Sequence, residues 1–95
     1  MENKIKRLAQ RNGSDSVFNQ TIEECAELIV ALRHFSRFST GERITQVSEV
    51  WGEIADVEIM LQQLKYRLYG EKEVEKIKAQ KIERQLERFG LTGKV

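Results

Sequence analysis

The stretch Ile22-Glu23-Glu24-Cys25-Ala26-Glu27-Leu28-Ile29 decides the fold. Its residues Ile22, Cys25, Ala26 and Ile29 recur at three- and four-residue steps, the period of an amphipathic helix. Leu32 and Phe35 extend the series, so a helix is expected over about 16–38. Adding Leu28 and Val30 widens the apolar arc to roughly 220° at 100° per residue. One neighbouring helix cannot cover so wide an arc. It asks for burial inside a bundle or against a second subunit. Glu24 and Glu27 lie three apart, which on a helix means about 60° of rotation and about 4.5 Å of rise, so they point the same way.

A second long helix is expected over about 43–69. Val47, Val50, Ile54, Val57, Leu61, Leu64 and Leu68 form its apolar stripe, bordered by Glu49, Glu53 and Asp56. Ser39-Thr40-Gly41-Glu42 reads as the turn between the two helices. Folding there aligns position n with roughly 80 − n in an antiparallel hairpin. Before it, a short charged helix over 2–11 leads to a turn at Asn12-Gly13-Ser14-Asp15-Ser16, rich in N-cap residues. After it, a charged helix over 71–89 carries a thin apolar edge of Val74, Ile77, Leu86 and Phe89, with Gly90 as its C′ residue. Glycines 13, 41, 70 and 90 mark the joints, and Gly52 sits inside a helical pattern. The expected fold is all-α: one domain over 1–95, an antiparallel helical bundle with two long central helices and a motif-bearing core at about 16–90.

Ninety-five residues bury only a small core, so a lone subunit would be marginal and an oligomer is expected. The formal net charge of +1 gives no global field toward nucleic acid or an anionic membrane. The Lys/Arg-rich last helix is interleaved with Glu71, Glu73, Glu75, Glu83 and Glu87, which also argues against a nucleic-acid partner. No apolar run reaches transmembrane length, and the start of the chain carries no signal-peptide segment. Cys25 is the single cysteine, most simply a packing residue, and a cytoplasmic location is expected.

A second acid pair, Glu53 and Asp56, lies in Gly52-Glu53-Ile54-Ala55-Asp56-Val57. In the antiparallel register it stands level with Glu24 and Glu27. One such pair is ordinary solvated helix surface. Two pairs level across a hairpin would repel by roughly 3 kcal/mol per contact at 5 Å and an effective dielectric of 20, which points to a cation between them. Oxygen-only ligands suit Mg²⁺, or Mn²⁺ in its place, rather than zinc or copper. A Glu-x-x-His di-iron motif is absent, because Ala31 stands three before His34; that lone histidine reads as a helix-end residue.

Glu23-Glu24-x-x-Glu27, followed after 25 intervening residues by Glu53-x-x-Asp56, resembles the EExxE…ExxD signature of the all-α nucleoside triphosphate pyrophosphohydrolases. The runs from Ile22 to Ile29 and from Glu53 to Leu61 are similar to the short, single-domain MazG-like members. The resemblance implies Glu24, Glu27, Glu53 and Asp56 as metal ligands. Glu23 matches the first Glu of the signature and takes a supporting catalytic role beside Glu24 and Glu27. Lys81-Ile82-Glu83-Arg84-Gln85 is similar to the basic stretch that the family sets near the phosphates, although Gln85 stands where that stretch ends in Arg. Lys78, Lys81 and Arg84 would then bind the substrate; without the resemblance they are a solvated basic face. The family commonly assembles as dimers or tetramers with sites at subunit interfaces.

These residue types suit the implied chemistry. Bare carboxylates would repel a triphosphate, and divalent ions between the two reverse the local charge. Water attacking the α-phosphorus would release pyrophosphate and leave a monophosphate. Basic side chains would take the β and γ charges. Gln20 lies one turn before Glu24 and could reach a bound nucleotide. Trp51, Phe18, Tyr66 and Tyr69 could stack a base, although aromatics at helical spacing are more often core. The expected activity is therefore Mg²⁺-dependent hydrolysis of NTPs or dNTPs to monophosphate and pyrophosphate, clearing nucleotides. The alternative is a non-catalytic helical oligomer with a regulatory or interaction role.

Overall fold

A computed structural model describes residues 2–37 and 40–93, with side chains over 3–37 and 46–93. The described residues form four helices and no strand: α1 (Glu2–Asn12), α2 (Ser14–Ser36), α3 (Thr40–Arg67) and α4 (Glu71–Arg88). The all-α expectation holds. The dominant packing is α2 along α3. It is antiparallel, since Glu27 of α2 lies by Glu53 of α3 while His34, further along α2, shares a groove with the earlier Glu49.

Two joints are tighter than the sequence suggested. Only Gly13 interrupts α1 and α2, and none of the nearby Ser or Asp side chains caps α2. Gly13 adopts φ 77°, a left-handed conformation open to glycine at no Cβ cost. Its N–H reaches Ala9 O at 3.1 Å while its carbonyl accepts from Val17 N at 3.1 Å, so one residue closes α1 and opens α2. At the hairpin, α3 already begins at Thr40, so Gly41 and Glu42 are helical rather than turn; Ser39 lies outside the described residues. Glycine is costly in a helix interior, and position 41 falls in the first turn, where backbone N–H groups have no intrahelical partner. At the far end Gly90, at φ 67°, closes α4, with Leu91 N donating to Leu86 O at 2.8 Å.

The core gathers Ile5 and Ala9 of α1, Val17 of α2, and Val50, Val57 and Met60 of α3. On α3 the buried line turns aside from the expected stripe after Val57. Met60 and Gln63 are buried, whereas Ile54, Leu61 and Leu68 are exposed. The cause is α1, which packs on the C-terminal half of α3 through polar contacts. Gln63 is 2% exposed and accepts from Asn12 Nδ2 at 3.2 Å. Gln10 donates to the Tyr66 hydroxyl at 2.8 Å. The Arg67 guanidinium takes the last carbonyls of α1, donating from Nε to Ala9 O at 2.9 Å and from Nη2 to Ala9 O and, at 3.1 Å, to Gln10 O. These carbonyls lie in the last turn of α1, and Ala9 O also accepts from Gly13 N, so Arg67 adds a C-terminal cap supplied by another helix.

The wide apolar arc of α2 stays largely uncovered within one chain: Ile22 is 67% exposed, Ile29 61% and Val30 68%, and Trp51 of α3 is 63% exposed. Among the described residues, helix α4 has no buried residue and packs only on α3. The radius of gyration is 16.9 Å, against roughly 12 Å for a compact chain of this length.

A candidate metal centre between the two long helices

Glu24 and Glu27 project from one face of α2, and Glu53 meets them from α3. One carboxylate oxygen from each lies within 4.8 Å of the others. The positions follow from the sequence: a three-residue step stacks Glu24 and Glu27 on one face, and the antiparallel register brings residue 53 opposite residue 27.

Hydrogen bonding at the cluster is incomplete. Gln20 Nε2 donates to Glu24 Oε1 at 2.7 Å, from one turn earlier on the same face. The other oxygen, Glu24 Oε2, is buried without a hydrogen-bond partner, and so is Glu53 Oε2. Buried carboxylate oxygens without a donor are costly, and like charges beside them add to the cost. The electrostatics agree. The Glu27 carboxyl is raised above its usual range, first by the charge on Glu24, then by Glu53, with smaller contributions from partial burial, a hydrogen bond with Glu24, and Asp56. Every neighbour that shifts Glu27 raises it, and no cation among them lowers it. Two orphaned oxygens in an all-oxygen donor set fit a hard divalent cation such as Mg²⁺ or Mn²⁺.

The remaining sequence candidates divide. Asp56 is exposed and lies outside the closest triad, yet near enough for its charge to act on Glu27. Glu23 is exposed and outside the triad, as its helical angle of about 100° from Glu24 requires. Lys78, Lys81 and Arg84 sit exposed on α4, which makes no packing contact with α2 among the described residues.

Sequence reasoning passed over a groove beside the cluster. It is an open groove of about 390 Å³ in which Ala26, Val30 and Ala31 line the surface together with Glu27, Glu53, Glu49 and His34. Its signal was available: Glu49 stands one turn before Glu53 on the same edge of the apolar stripe.

The chain matches no protein-family model, no curated protein and no solved structure. No helix among the described residues is long and apolar enough to cross a membrane.

Proposed function

We propose that this chain is an Mg²⁺-dependent nucleoside triphosphate pyrophosphohydrolase of the MazG-like all-α superfamily, cleaving NTPs or dNTPs between the α and β phosphates in the cytoplasm. The observation that carries the proposal is the cluster of Glu24, Glu27 and Glu53, which bring carboxylate oxygens within 4.8 Å of one another, together with two buried, unpartnered oxygens among them, Glu24 Oε2 and Glu53 Oε2. A solvated acidic surface would leave those oxygens to water.

Glu24, Glu27 and Glu53 would hold the ion, with Asp56 completing the set. A bound divalent cation supplies positive charge for phosphate oxygens and acidifies water. The chain's residues do the rest. Gln20 fixes Glu24 by occupying Oε1, which leaves the buried Oε2 without a hydrogen-bond partner. Two rigid helices set the spacing of the acids. An oxygen of Glu23, Glu24 or Glu27 that is not engaged with the cation takes the proton from the attacking water.

The β and γ charges need cations, and α4 makes no packing contact with α2 of its own chain among the described residues. A second copy, in a homodimer or homotetramer, would bring its α4 to them. The exposed surface supports assembly. It amounts to 7748 Å², whereas a folded monomer of 11.1 kDa exposes roughly 5,700 Å². The excess of roughly 2,000 Å² per chain exceeds the roughly 800 Å² per partner of a standard interface. The lack of an α2–α4 contact among the described residues equally favours the alternative, a non-catalytic helical oligomer. A panel of NTPs and dNTPs with Mg²⁺ separates the two: monophosphate and pyrophosphate are expected in equal amounts, and no turnover with any member would leave the oligomer.

A further inference from the structure

A second cleft, remote from the acids, lies where α1, α3 and the start of α4 converge. Its volume of about 330 Å³ is at the small end of the range for small-molecule sites. Gln62, on its α3 side, stands about 14 Å beyond Glu53 along the helix axis. Helices α1 and α4 make no packing contact with each other among the described residues, so the cleft separates them. Lys6 of α1 and Lys65 of α3 bring two positive charges to it, and Glu71 and Glu75 of α4 bring two negative ones. Lys65 Nζ pairs with Glu75 Oε1 at 3.4 Å. Glu71 is half-buried and has no hydrogen bond or ion pair among the described residues. The Tyr66 hydroxyl accepts from Gln10 Nε2 at 2.8 Å, and a phenol that accepts keeps its own proton to donate. The cleft thus holds an acceptor that lacks a donor and a donor that lacks an acceptor.

We propose that this cleft binds a small zwitterion, an α-amino acid with an apolar side chain. A ligand of one sign is disfavoured there: an anion meets Glu71 and Glu75, and a cation meets Lys6 and Lys65. Two charges of each sign favour a ligand that carries both. Its ammonium group supplies the donor that Glu71 lacks, a charge-assisted hydrogen bond. Its carboxylate takes the Tyr66 proton in the field of the two lysines. Its side chain rests on Ile5, the aliphatic wall of the cleft, and on the Tyr66 ring. The site shares no residue with the acid cluster, so it stands or falls independently of the hydrolase.

The test is a titration of the full chain with L-leucine, leucinamide and N-acetyl-leucine, followed through the Ile5 methyl and Glu71 amide resonances. Leucinamide lacks the carboxylate and N-acetyl-leucine lacks the ammonium. Leucine is expected to shift both resonances saturably, and each derivative to require at least about tenfold more, the loss of one charge-assisted hydrogen bond. Glu71→Gln should weaken leucine by about tenfold and leave N-acetyl-leucine unchanged, with helix content retained. Tyr66→Phe keeps the ring and removes the proton donor, so it should weaken leucine more than leucinamide. No saturable response to leucine, equal binding of the three compounds, or leucine affinity unaltered in Glu71→Gln would overturn the assignment. Equal losses for leucine and leucinamide in Tyr66→Phe would overturn the placing of the carboxylate, and with it the zwitterion.

Discussion

Replacing Glu53 by Gln removes one charge from the acid cluster and nearly keeps the side chain's shape. Glu24 and Glu53 are both half-buried and place carboxylate oxygens within 4.8 Å. Two unit charges at that distance repel by about 3.5 kcal/mol at an effective dielectric of 20 and about 0.9 kcal/mol in bulk water. A half-buried pair falls between these limits. The Gln amide also brings a donor into a cluster where Glu24 Oε2 has none. Glu53→Gln should therefore stabilise the metal-free protein by about 1–3 kcal/mol, raising Tm by roughly 5–15 °C for a chain of this size. Divalent ions should reverse the order. Mg²⁺ at a hundredfold its Kd adds about 2.7 kcal/mol to the wild type, while the variant, short of one ligand, gains much less. The assay is a pair of thermal melts, one in EDTA and one in Mg²⁺, at equal protein concentration, pH 8 and low salt. A variant that melts at or below the wild type in EDTA, with both proteins indifferent to Mg²⁺, would show that these carboxylates do not confront one another and hold no ion.

Other perturbations follow from the same structure. Folding raises the Glu27 pKa above 4.5 through the charges of Glu24 and then Glu53, so the folded chain binds that proton more tightly than the unfolded one. Its contribution is fully present below the unfolded pKa and lost as pH rises through the folded value; melts in EDTA should show wild-type Tm falling relative to Glu27→Gln across that window, and parallel curves would refute the coupling. Arg67→Ala should cost about 1–3 kcal/mol in urea unfolding and release α1 first, seen as faster amide exchange across residues 5–12; uniform exchange would show that α1 docks without that cap. Sedimentation at micromolar concentration should give a dimer or tetramer that Ile29→Glu dissociates, and a folded 11.1 kDa wild-type monomer would contradict the assembly.

Helix content and hairpin register were legible because both rest on local period. Ile22, Cys25, Ala26 and Ile29 fix a helix, and the short connection to α3 sets residue 27 against residue 53. Convergence of Glu24, Glu27 and Glu53 follows from those two facts. The docking of α1 was not legible. It depends on Arg67 reaching the carbonyls of Ala9 and Gln10, and on Asn12 meeting Gln63, contacts some fifty residues apart that leave no periodic trace. The same docking explains why Met60 is buried and Leu61 is not. Periodicity identified the apolar arc of α2 but says nothing of what covers it, so Ile22 and Ile29 read as core and stand exposed in the single chain. Gly13 misled for a related reason: one glycine at positive φ did the work for which several capping side chains were available.

Position of bond cleavage tests the proposed chemistry most directly. With Mg²⁺ and a triphosphate in ¹⁸O-labelled water, attack at the α-phosphorus puts the label in the monophosphate and leaves pyrophosphate unlabelled, which is the expected result. Label in orthophosphate, with a nucleoside diphosphate as the other product, would contradict it.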